Sequence, residues 1–179
     1  MSEYTNVKPL IYAALFAALT AIGAFIKIPI PISPVPITLQ VFFVLLAGLM
    51  LGARGGGTSM IVYIILGIIG LPVFSGGTSG LGVLFGPTGG YLLGFIAGAF
   101  VIGLVYKITG STRVGAIIAM VAGLIIIYLM GVIQLSSAAQ ISIQQAVTVG
   151  VLPFLIGDVI KIIAALIVAD RIRPLIDVS

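Results

Sequence analysis

Val114-Gly-Ala-Ile-Ile-Ala-Met-Val-Ala-Gly-Leu-Ile-Ile-Ile-Tyr-Leu-Met-Gly-Val-Ile-Gln-Leu135 runs for 22 residues without an Asp, Glu, Lys or Arg. A helix of about 20 apolar residues spans the hydrocarbon core of a bilayer. The polar turn Gly110-Ser-Thr-Arg113 precedes this run, and a Ser- and Gln-rich segment, 136–145, follows it. Working outward, five further apolar runs emerge at 9–28, 37–53, 58–73, 89–108 and 146–170. The expected fold is therefore one all-α integral membrane domain, 1–179, with six transmembrane helices.

Composition supports this class. Hydrophobic residues make up 61% of the chain and charged residues only 7%, against about 25% charged in a soluble domain. Disorder requires the opposite balance. Met1 to Lys8 is polar and has no small-residue cleavage site, so the first helix is expected to stay in the mature protein. There is no cysteine and no histidine, which removes thiolate chemistry and the commonest proton shuttle and metal ligand. Four acidic residues leave little material for a metal centre or a carboxylate dyad. An enzyme is not expected, nor is a cofactor. The net charge of +4 sits near the ends of apolar runs, so it reads as topology rather than nucleic-acid binding.

The breaks between runs have their own chemistry. Ile28 to Pro36 holds four prolines in nine residues, which excludes regular helix. Gly52 to Gly57 reads as a tight turn around Arg54. Phe74 to Gly90 is glycine-rich. Six spans place both termini on one side, together with Lys8, Arg54, Lys107, Arg113, Arg171 and Arg173; Lys27 alone falls on the other. The positive-inside rule then puts both termini in the cytoplasm of a multi-pass protein of the cell membrane, with 29–36, 74–90 and 136–145 facing outward.

Three features require explanation. Asp158 and Lys161 share one face of the last helix, where each charge costs about 2.5–3.5 kcal/mol to insert. An acceptor-only carboxylate beside a donor-only ammonium suits a ligand with adjoining N–H and C=O groups, such as a urea, amide or lactam. A self-neutralising salt bridge and an ion-coupling site in a stand-alone transporter are the competing readings. The second feature is Phe74–Tyr91, with seven glycines in eighteen residues. No lysine follows as a nucleotide-binding loop would require; its leucines, valine and phenylalanines suggest a packed lid rather than a linker. The third is helix 1, where Ala13, Ala14, Ala17, Ala18 and Ala21 form overlapping Ala-x-x-x-Ala steps that admit a neighbouring helix. A partner protein and packing within the bundle both fit. For Gly94 and Gly98 packing within the bundle is preferred.

Together, Pro34-Val-Pro-Ile-Thr-Leu-Gln40, Gly70-Leu-Pro-Val-Phe-Ser-Gly-Gly77, Gly86-Pro-Thr-Gly-Gly-Tyr91 and Gly157-Asp-Val-Ile-Lys161 resemble the BioY family. These are the biotin-specific substrate-binding subunits (S components) of energy-coupling factor (ECF) vitamin transporters. The resemblance covers nearly the whole chain. It implies a six-helix membrane protein that binds biotin from outside. It implies as partners a transmembrane coupling subunit and two cytoplasmic ATPases, met partly through the alanine steps of helix 1. It implies that Asp158 and Lys161 hold the ureido ring, and that Gln40, Gly76, Gly77, Thr88 and Tyr91 belong to the binding region. Phe74 and Phe85 join Tyr91 as candidates for the apolar wall. Backbone amides of the glycine loop and Thr88 are candidates for the valerate carboxylate, with Lys27 as a second candidate.

Overall fold

The computed structural model describes residues 7–173. Its helices are α1 (Lys8–Phe25), α2 (Gln40–Ile68), α3 (Leu81–Phe85), α4 (Gly89–Ile108), α5 (Arg113–Ala139), α6 (Ile143–Gly150) and α7 (Leu155–Ile172). Five helical segments, with 143–172 taken as one, are long and apolar enough to cross a membrane.

The first helix stops at Phe25, short of the expected residue 28. Lys27–Ile28 (β1) instead pairs antiparallel with Ile37–Thr38 (β2), Lys27 facing Thr38. The prolines at 29, 31, 34 and 36 have no N–H to continue a ladder, so they form the loop of this small ribbon.

The two short runs expected at 37–53 and 58–73 are the limbs of α2, and the expected turn over 52–57 contracts to one residue. Gly52 takes φ 70° and ψ −174°, a conformation open to glycine alone. The Gln40 side chain donates to the Tyr63 hydroxyl at 2.6 Å. In a straight helix residues 23 positions apart would be about 34 Å apart. The limbs 40–51 and 53–68 therefore lie side by side. A Cβ at Gly103 would come within 2.1 Å of the Ala53 amide nitrogen, so α4 presses its backbone against the tip of this hairpin.

The expected continuous helix 146–170 is broken. Ser142 caps α6 in a capping box with Gln145, α6 ends at Gly150, a 3-10 turn follows over Leu152–Phe154, and α7 starts afresh at Leu155. Pro153 is the cause, since it cannot donate to the preceding turn. The polar connection expected at 136–145 also narrows, because α5 runs through Ala139 and turns at Gln140 (φ 53°).

Packing divides the alanines of α1. Ala13, Ala17 and Ala21 are buried where α1 packs on α2. Of the two readings of the alanine steps, packing within the bundle accounts for these three. Ala14 and Ala18 lie on the exposed face with Ile11, Leu15 and Ile22. Gly94 and Gly98 pack on Ile127 of α5, as internal packing requires.

One end of the bundle is sealed. The Arg173 guanidinium stacks 4.3 Å over the Tyr106 ring, donates to the Tyr106 hydroxyl and donates to the Leu49 carbonyl at 2.9 Å. Arg113 pairs with Asp170 at 2.9 Å. The other end is hollow.

Candidate ligand-binding site

The hollow end holds a cavity of about 510 Å³, within the range of small-molecule sites. Its wall draws on the ribbon, the start of α2, the glycine-rich segment, α4, α5 and α7.

Asp158 and Lys161 line it, 3% and 8% exposed. Lys161 Nζ donates to Asp158 Oδ1 at 2.8 Å. The break at Pro153 matters here. It makes Asp158 a first-turn residue of α7, where the unpaired amides of a helix start favour an anion. The second carboxylate oxygen accepts from the Tyr128 hydroxyl of α5. Both oxygens of Asp158 are thus held, and a buried pair of charges is spared isolation. Each can still accept another donor, because a carboxylate has about four lone-pair sites.

Tyr91 lines the cavity with its ring, while its hydroxyl is committed, donating to the Gly150 carbonyl at 2.8 Å. The Gly-Pro-Thr-Gly-Gly-Tyr string explains how it gets there. A Cβ at Gly89 would lie 1.9 Å from the Leu84 carbonyl oxygen, and one at Gly90 would lie 2.3 Å from that of Met130. Only glycines allow α4 to start so close to both neighbours. Gln134 of α5 donates to the carbonyls of Leu84 and Gly86, fastening this corner to the bundle.

Gln40 also lines the cavity and is fixed on both sides. Its oxygen accepts from Thr38 at 3.0 Å and its nitrogen donates to Tyr63, whose hydroxyl donates to the Val73 carbonyl at 3.0 Å. Phe74 lines the wall and packs edge-on against Tyr63, 5.7 Å between ring centres. The glycine-rich segment, which contains α3, lines the cavity through Phe74, Ser75, Thr78, Gly82 and Val83. Thr88 and Lys27 line the cavity as well.

Other expected residues lie elsewhere. Phe85 is 79% exposed and outside the wall, because α3 turns it away. Gly76 and Gly77 are outside the wall too, and their amides are used at home, donating to the Ala24 and Phe74 carbonyls.

Sequence reasoning missed Tyr128 and Gln134. Each is a lone polar group in the apolar run of α5, and only the fold supplies its partners. It also missed Phe95, Leu124, Ile127 and Phe154, which complete the apolar wall but read in sequence as ordinary core residues.

Residues 1–177 match the family model described as the BioY family. Similar curated relatives include a biotin transporter BioY from Thermotoga maritima, 46% identical over 94% of this chain and 98% of its own length. A probable biotin transporter BioY from Pyrococcus horikoshii is 43% identical, with the same coverage. Among solved structures, the crystal structure of the S-component for biotin from an ECF-type ABC transporter superposes with a TM-score of 0.89 at 33% identity. That match covers 97% of this chain and 95% of the other.

Proposed function

The chain belongs to the BioY family, and from that premise we propose that it captures biotin from outside the cell as the substrate-binding subunit of an ATP-driven vitamin importer. It is a multi-pass membrane transport protein and not an enzyme.

The observation that carries the reading is the Tyr128–Asp158–Lys161 cluster in the cavity wall. The ureido ring of biotin carries two N–H groups and one carbonyl. Asp158 accepts from an N–H and Lys161 donates to the carbonyl, while Tyr128 steadies the carboxylate. The thiophane ring and the chain lie along Tyr91, Phe95 and Ile127. Nanomolar affinity requires about 12 kcal/mol, roughly 0.75 kcal/mol per non-hydrogen atom of biotin, which a buried ligand with satisfied polar groups attains.

We read the chain as crossing the membrane six times: α1, each limb of α2, α4, α5, and α6 with α7. The reversal at Gly52 supports this count. Lys8, Arg54, Lys107, Arg113, Arg171 and Arg173 all belong to helix ends or turns remote from the cavity. That arrangement supports cytoplasmic termini in the plasma membrane and a cavity that opens outward. Hydrolysis is then the work of two partner ATPases, and the Ala14/Ala18 face receives the coupling subunit.

Calorimetric titration of biotin into the purified chain in detergent tests the binding role. Tight one-to-one binding is expected, and a well-folded chain that binds no biotin would overturn the reading. In liposomes, uptake should require the coupling subunit, the ATPases and ATP. Accumulation by the chain alone under an ion gradient would favour a secondary transporter instead.

A further inference from the structure

We propose that Lys27 and Ser75 form the carboxylate subsite of this cavity; the inference rests on the biotin reading and names the groups that hold the acidic end of the ligand. Lys27 lies in the ribbon, on β1 opposite Thr38, and lines the cavity. Its ammonium sits over Gly76 of the glycine-rich segment, only 2.4 Å from where a Cβ of residue 76 would be. Gly76 has φ +77°, so the turn that carries it both needs glycine and leaves the space Lys27 fills. The next residue back, Ser75, also lines the cavity, and its Oγ is buried with no hydrogen-bond partner among the described residues. A buried hydroxyl without a partner is costly, which points to a ligand group that completes it.

Charge bookkeeping leads to the same place. The ionisable side chains in the wall with formal charge are Lys27, Asp158 and Lys161. Asp158 and Lys161 neutralise each other in a 2.8 Å ion pair. Among the described residues Lys27 has no carboxylate partner within ion-pair distance. The wall therefore carries one net positive charge, on the exposed Lys27, on different elements from the pair that holds the neutral ring. That pattern fits a monoanion whose charge stands away from a polar, uncharged head. The valerate carboxylate accepts from the Lys27 ammonium and the Ser75 hydroxyl in charge-assisted hydrogen bonds. Ser75 reaches the ligand from the segment that covers the cavity, so the carboxylate also ties that segment to the ribbon.

The test pairs ligand and protein changes. Affinities of biotin and of biotinamide, its neutral carboxamide, are measured for the parent chain, Lys27→Met, Lys27→Arg and Ser75→Ala in detergent. The parent should prefer biotin by about 30-fold. Lys27→Met should weaken biotin by a similar factor and biotinamide less than about threefold, and Lys27→Arg should recover most of the preference. Ser75→Ala should weaken biotin about tenfold without lowering the melting temperature of the ligand-free chain, because it removes an unsatisfied hydroxyl. Full preference retained in Lys27→Met overturns the subsite while leaving biotin binding intact. Equal weakening of both ligands also overturns it, since a purely structural lysine acts that way. A parent chain that binds neither ligand overturns the biotin reading itself, and the subsite with it.

Discussion

The two ends of this bundle are built from the same apolar helices to opposite effect. At the sealed end, α4 presses on the hairpin tip at Gly52 and Ala53, and the Arg173 side chain bridges Tyr106 and the Leu49 carbonyl, leaving a cavity of only about 50 Å³. At the hollow end, the helices stop early or break. α1 gives way to a ribbon after Phe25, α7 begins only at Leu155, and a glycine-rich segment covers the gap. Backbone irregularity at membrane depth is tolerated where it lines a cavity; at the sealed end it shrinks to tight reversals at Gly52 and at Gly110 and Ser111. The cavity is not a packing defect. It is kept open by glycines, prolines and hydrogen-bonded polar groups while the far end is closed by close backbone contact.

The contrast can be broken most severely at the sealed end. Gly103→Leu should abolish folding, because the Cβ alone would meet the Ala53 amide at 2.1 Å and backbone cannot yield as a side chain can. Size-exclusion profile and yield in detergent report this directly. Asp158→Asn and Lys161→Ala at the hollow end should behave differently. Each should fold, and each should lose about 2–4 kcal/mol of biotin affinity by leaving a buried charge or ligand group unpaired. If both bind like the parent by calorimetry, the ring is held elsewhere. Tyr128→Phe removes one hydrogen bond to the carboxylate and should cost about 1.5 kcal/mol, roughly tenfold in Kd. The smallest effect on affinity, under about 0.5 kcal/mol, is expected for Ala14→Trp and Ala18→Trp on the exposed face of α1. These two should instead reduce recovery of the coupling subunit in a co-purification. A Trp at the buried Ala17 should lower the melting temperature, which separates the two faces of the helix.

How much of this could be read beforehand follows from what each residue's neighbours in sequence reveal. Long uncharged runs declare helices, and prolines between 28 and 36 declare a break, because these signals are local. Asp158 and Lys161 stand out because charge in an apolar run demands a reason. The reversal at Gly52 is harder to read. Gly55, Gly56 and Gly57 follow it in helical geometry, so a cluster of glycines spreads the expected turn over residues that do not make it. Pro153 was legible in principle, but the apolar run on both sides reads as one helix. Tyr128 and Gln134 were not legible as site residues, since their partners are 30 and 48 or more positions away. The alanines of α1 present small residues on two adjacent faces, both apolar, and only packing on α2 decides which face is buried.

On the proposed function, Lys161 donates to the ring carbonyl of the ligand while Asp158 accepts from its N–H. The most direct measurement compares biotin with 2-iminobiotin, in which that carbonyl becomes a cationic donor, on the parent chain and on Lys161→Gln. Like charges would then face each other across the site. The parent should bind the analogue about 100-fold more weakly than biotin, and Lys161→Gln should shrink that gap below about tenfold. Equal binding of both ligands by the parent, or an undiminished gap in the variant, would contradict the assignment.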